Sequence, residues 1–127
     1  MSDKLSKEPF LPKLTFEMPG QSASQIKLRV WCDLIPPELF CKINVEKIGG
    51  TEEENAALTK LVQYTAKGSG AFGRINGGIC EAFLSKRGLK KGDVLSLNAV
   101  VVDNVGTEIE ELFGKKEFSD HLELLLE

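Results

Sequence analysis

The sequence predicts an α+β fold, a curved antiparallel sheet or small β-barrel that carries one well-capped helix. Three observations lead there. Apolar and polar residues alternate in three segments, 14–18, 26–34 and 39–46, which is the period of a strand with one buried face. Residues 94–103 are a β-branched run suited to a central strand covered on both sides. Between these, residues 51–68 carry the start and stop signals of a helix over about 52–67.

Each element follows from its residues. Residues 1–12 read as an N-terminal arm, since Pro9 and Pro12 interrupt regular structure and Lys4 and Lys7 keep it solvated. Leu14, Phe16 and Met18 make a short strand that Pro19 and Gly20 close. Ile26, Leu28, Val30, Cys32 and Leu34 form the longest alternation, ended by Pro36 and Pro37. Leu39, Cys41, Ile43 and Val45 form the next. Thr51 with Glu54 is a capping-box pair, and Glu52 and Glu53 add negative charge at the positive end of the helix dipole. Ala57, Leu58, Leu61, Val62 and Thr65 give that helix its face, with Gly68 as its closing residue. A second short helix is expected over about 79–87, with Ile79, Ala82 and Phe83 on one side. A turn at 89–93 leads into the β-branched strand. A hairpin turn follows at 103–106, and 107–113 fits either strand or helix. The end of the chain, from Ser119, reads as a helical tail rich in leucine. The domain organisation is then an arm at 1–12, a single domain at 13–113 and an acidic leucine-rich tail at 114–127.

Composition narrows the function classes. With 42% hydrophobic and 28% charged residues, a chain of 127 residues folds as one globular domain and is not disordered. It has no apolar run of about 20 residues and no signal-peptide pattern, so a membrane role is not expected. Cys32, Cys41 and Cys80 are odd in number and lack C-x-x-C spacing, which favours reduced thiols and a cytoplasmic location. His121 is the only histidine, so a histidine-based metal site lacks ligands, and no cofactor is expected. No nucleophile is spaced with a base, and binding is expected in place of catalysis.

The net charge of −3 conceals two segments of opposite sign. Residues 103–127 hold eight acids against Lys115 and Lys116, whereas 67–91 hold six basic residues against Glu81 alone. The basic segment contains five of the chain's twelve glycines in 67–78, and Gly68, Gly70 and Gly73 spell G-x-G-x-x-G. That spacing lets a backbone approach phosphate closely. A dinucleotide site needs a strand before the motif and a helix after it, whereas here a helix is expected to precede it. Residues 68–75 also resemble the glycine loop of protein kinases, but the companion lysine and aspartate motifs are missing.

Gly68, Ser69, Gly70, Ile75, Asn76 and Gly77, followed by Leu89, Gly92, Asp93 and a β-branched strand, resemble the middle of the pyruvoyl-dependent aspartate decarboxylases. The resemblance implies a barrel-like segment over 68–103, with Asn76 and Gly78 near a substrate. The sequence departs from that family where the pyruvoyl group is made: the early region has no Gly-Ser bond, only Gly20-Gln21-Ser22 and Gly50-Thr51.

These features point to a non-enzymatic binding module that presents a glycine-rich basic surface, 67–91, to an anionic partner such as single-stranded nucleic acid. The expected contact residues are Lys67, Gly70, Gly73, Arg74, Asn76, Lys86, Arg87, Lys90 and Lys91, which offer cations and open backbone. Trp31, on the polar side of its strand, adds a stacking surface. Two alternatives stand beside this one. One is an assembly subunit that contacts a protein partner, or itself, through the arm and the Leu122–Leu126 tail. The other is a small barrel enzyme holding a carboxylate or phosphate substrate at the glycine loop.

Overall fold

The computed structural model describes residues 14–32, 40–66, 72–75, 77–103 and 119–127. Two antiparallel sheets face each other around one core. The first sheet runs β1 (Leu14–Phe16), β3 (Gln25–Cys32), β7 (Ile79–Ser85), β5 (Gln63–Tyr64), with β2 (Gly20–Gln21) also on β3. The second runs β6 (Gly73–Arg74), β4 (Phe40–Lys47), β8 (Val94–Val102), β9 (Ser119–Leu125). Among the described residues neither closes on itself as a barrel; the expected curved sheet is a pair of sheets.

Alternation decides which side chains go inward. Ile26, Leu28 and Val30 of β3 and Ile43 and Val45 of β4 are fully buried, while the polar residues between them face outward. β8 lies between β4 and β9, as its β-branched run predicts. Leu95, Leu97, Ala99 and Val101 enter the main core, while Val100 and Val102 on its other face pack with Phe72 and Phe40 in a second small core. The Phe40 and Phe72 rings stand 5.7 Å apart at a tilt of 48°.

The only helix among the described residues is α1 (Glu52–Lys60). Its capping box forms in full: the Glu54 amide donates to Thr51 Oγ1 at 3.1 Å and the Thr51 amide to Glu54 Oε1 at 2.8 Å. Those contacts hold the Glu54 carboxyl below the usual carboxylate range, the backbone hydrogen bond from Thr51 first and the charge of Lys47 second. The helix ends earlier than its sequence signals suggest. Leu61 caps it in right-handed geometry, and Gly68 does not close it. Val62 and Tyr64 are both buried with Gln63 exposed between them, so the chain must turn extended at that point. Of the expected helix face, Leu58 and Val62 enter the core, whereas Leu61 is exposed.

Two expected helices are strands. Residues 79–85 form β7, because β3 offers them a full antiparallel partner from Gln25↔Ser85 to Trp31↔Ile79. Cys80, Ala82 and Leu84 then point inward, and Ile79, Glu81 and Phe83 point outward. The tail from Ser119 is β9, paired with β8 from Val100↔Ser119 to Val94↔Leu125. Its leucines are shared between two faces: Leu124 and Leu126 are buried, and Leu125 is exposed. The arm, the 104–106 part of the hairpin turn and the strand-or-helix segment 107–113 lie outside the described residues.

Candidate functional site

Of the ten residues singled out in the sequence, the seven that are described do not form one surface. Lys67, Gly70 and Asn76 lie outside the described residues. Lys86, Arg87, Lys90 and Lys91 sit in the turn after β7, and Arg74 sits before that strand. The seven residues of β7 separate the two groups by about 20 Å at a strand's rise per residue. In the far group, the Lys86 Nζ donates to the Glu127 carbonyl at 3.4 Å, and the Lys90 backbone amide to Asp93 Oδ2 at 2.8 Å. Gly73 is buried against Tyr64 and Cys80, and pairs with Cys41.

Arg74 and Trp31 both neighbour Ile79 at the start of β7, Trp31 as its cross-strand partner and Arg74 in a shared hollow. Trp31 is 43% exposed and lies opposite Ile79. Its indole Nε1 donates to Glu17 Oε1 at 2.9 Å, and the Arg29 guanidinium carbon lies 5.8 Å from the ring centroid, within cation–π range. Arg29 reaches Glu17 and Glu81 at 3.5 Å each, and Lys27 reaches Glu81 at 3.5 Å. These are part-exposed pairs of modest strength, which orient the cations more than they stabilise the fold. Beside them a hollow of about 220 Å³ is lined by Arg29, Thr65, Ala66, Arg74, Ile79 and Glu81. The Arg74 side chain makes no ion pair among the described residues.

One member was missed. Phe83 lies opposite Lys27, on the same outward face as Trp31 and Arg29. A helical assignment for 79–87 put it on a buried side, and only the period-two pattern of Ile79, Glu81 and Phe83 places it here. The outer face of the first sheet thus interleaves Trp31, Ile79 and Phe83 with Lys27 and Arg29, carries Glu17 and Glu81 as counter-charges, and meets Arg74 of β6, from the second sheet, across the hollow.

The three cysteines converge in the core from β3, β4 and β7, with no disulfide among them. The Cys80 thiol's hydrogen bond, then burial, pushes the Cys41 thiol well above its ordinary range, which keeps it protonated and unreactive. Among the described residues no cluster of three acidic, cysteine or histidine side chains has the arrangement of a metal site, and no helix is long and apolar enough to cross a membrane. No protein-family model, curated protein or solved structure matches the chain.

Proposed function

We propose that the chain is a non-enzymatic binding module that lays a single-stranded nucleic acid across the outer face of its first sheet. The observation that supports this is the interleaving of Trp31 and Phe83 with Lys27 and Arg29 on the adjacent strands β3 and β7, with Arg74 of β6 across the neighbouring hollow. Unpaired bases stack on aromatic side chains without regard to sequence, and neighbouring cations meet the phosphates. Trp31 and the residue facing Phe83 are four positions apart along β3, which is about 13 Å and spans a few nucleotides. Glu17 and Glu81 hold Lys27 and Arg29 in place, and phosphates compete with these carboxylates for the cations, so affinity falls with salt.

Trp31 is the only tryptophan in the chain, so its fluorescence reports this face alone. Titration with oligothymidylate or its RNA counterpart is expected to quench it. The log of affinity should fall by about 0.7 per tenfold rise in salt for each phosphate neutralised. Phe83→Ala is expected to cost about 1–3 kcal/mol of binding, roughly five- to 150-fold. Fluorescence that stays constant, or an affinity indifferent to salt and to Arg74→Glu, would sink the proposal.

A further inference from the structure

A second, chemically different concavity lies on the outer face of the second sheet, and it does not depend on the nucleic-acid reading. We propose that it binds a neutral, hydroxyl-rich small molecule of the saccharide type. The floor comes from register. Asn44 of β4 lies opposite Asn98 of β8, which lies opposite His121 of β9, so three polar side chains stand in one row across the sheet. Helix α1 forms the wall, through a face that includes Asn55, Thr59 and Lys60. The trough so enclosed measures about 780 Å³, inside the usual range for small-molecule sites.

The donor and acceptor inventory identifies the ligand class. Asn44 and Asn98 are half-buried, and neither side-chain amide has a hydrogen-bond partner among the described residues. Each offers one carbonyl acceptor and an NH₂ group with two donor hydrogens. A hydroxyl is both donor and acceptor, so a run of hydroxyls satisfies such a row. Ser96 Oγ and His121 Nε2 stand 2.7 Å apart and fix one another at the trough's side. Charge is balanced, with Lys42 and Lys60 against Glu46 and Glu52, so the trough has no preference for an ionic ligand. No Phe, Tyr or Trp lines it, and the one imidazole, His121, is engaged by Ser96, so the trough offers no large stacking surface for a nucleobase. Asparagine is also depleted in strands. Two asparagines opposite one another mid-sheet, with no intramolecular task, fit a role outside the fold.

The test is ¹H–¹⁵N NMR of the full chain, titrated with maltose, cellobiose and N,N′-diacetylchitobiose to tens of millimolar. At least one is expected to shift the side-chain amide signals of Asn44 and Asn98 and the backbone signals of Ser96 and His121, while the Trp31 indole signal stays put. The Asn44→Ala/Asn98→Ala double variant should weaken that binding at least about tenfold, the effect of losing two amide contacts. Those amides hold no other described residue, so the variant's remaining spectrum reports an intact fold. The proposal is overturned if none of the three sugars moves the two amides, or if their binding survives the double substitution. Tighter binding of glucose 6-phosphate at the same residues would also overturn it, since it would show an anion site. Because the readout is on the opposite sheet, either result leaves the Trp31 titration standing.

Discussion

Gly73 shows how a motif residue can have a packing reason. A Cβ at this position would collide with the Tyr64 ring and come within 2.8 Å of the Cys80 sulfur. The glycine lets β6 sit close over that part of the core, where β4 pairs Cys41 with it. Gly73→Ala is therefore expected to destabilise the protein by about 1–3 kcal/mol, the cost of overpacking a close-packed core. Urea unfolding measures this directly, and an unchanged midpoint would mean that Tyr64 can step aside. The same contact explains part of the glycine spacing noticed in the sequence, because the last glycine of G-x-G-x-x-G turns toward core atoms.

At the scale of elements, α1 and Tyr64 act together as a substitute strand. Beyond Cys41, β4 has no backbone partner among the described residues on the side away from β8, and an edge left open invites pairing with another chain. Side chains close it at alternate residues. The Ile43 amide donates to Tyr64 OH, the Val45 amide to Thr59 Oγ1 and the Lys47 amide to Asn55 Oδ1, each at 2.9 Å. Thr59 Oγ1 also donates to the Val45 carbonyl at 3.2 Å, so one hydroxyl serves both groups of one residue. Thr59→Val keeps the shape and orphans both. A loss of about 2 kcal/mol is expected, and the Val45 amide should be among the first to gain hydrogen exchange. Unaltered exchange at Val45 would show that the edge is covered another way. This edge was not legible in the sequence, where Asn55, Thr59 and Tyr64 fall inside the expected helix over about 52–67 and carry no signal of their own. The capping box was legible, since Thr51 and Glu54 are neighbours and need nothing distant. β3, β4 and β8 were legible because their alternation or β-branching admits one period. β7 and β9 were not. Five apolar residues in 79–84 and four leucines in 122–126 fit both periods, and the choice was made by β3 and β8, which a local window does not contain. The same ambiguity hid Phe83 from the candidate site.

Across the whole molecule, the two sheets are joined by side chains at both seams, together with the backbone hydrogen bond from the Arg74 amide to the Ala66 carbonyl at 2.7 Å, where a barrel would have continuous backbone ladders. At the seam between β1 and β9, the Phe16 amide donates to Asp120 Oδ2 at 2.8 Å, and Gln21 bridges the Leu125 carbonyl and the Glu127 amide. At the other seam Tyr64 sits under β6 with its hydroxyl on β4, near the three thiols. That burial ties global stability to alkaline pH. Burial raises the Tyr64 phenol well above its ordinary range, against the lowering effect of the Ile43 amide, and the Cys41 thiol is raised as well. Both groups hold their protons more tightly folded than unfolded. Their contribution is complete below the unfolded pKa values, about 8.5 for a thiol and about 10 for a phenol, and is lost as pH rises beyond them. The urea midpoint is thus expected to be level near neutrality, to begin falling at about pH 9 and to fall more steeply past about pH 10, by up to about 1.4 kcal/mol per pH unit for each group. Tyr64→Phe separates the two roles of this side chain. It should lower stability at neutral pH by orphaning the Ile43 amide, and remove the steeper part of the alkaline fall. If the variant keeps the full alkaline slope, the phenol is not the group that titrates, and the seam draws its pH sensitivity from the thiols alone.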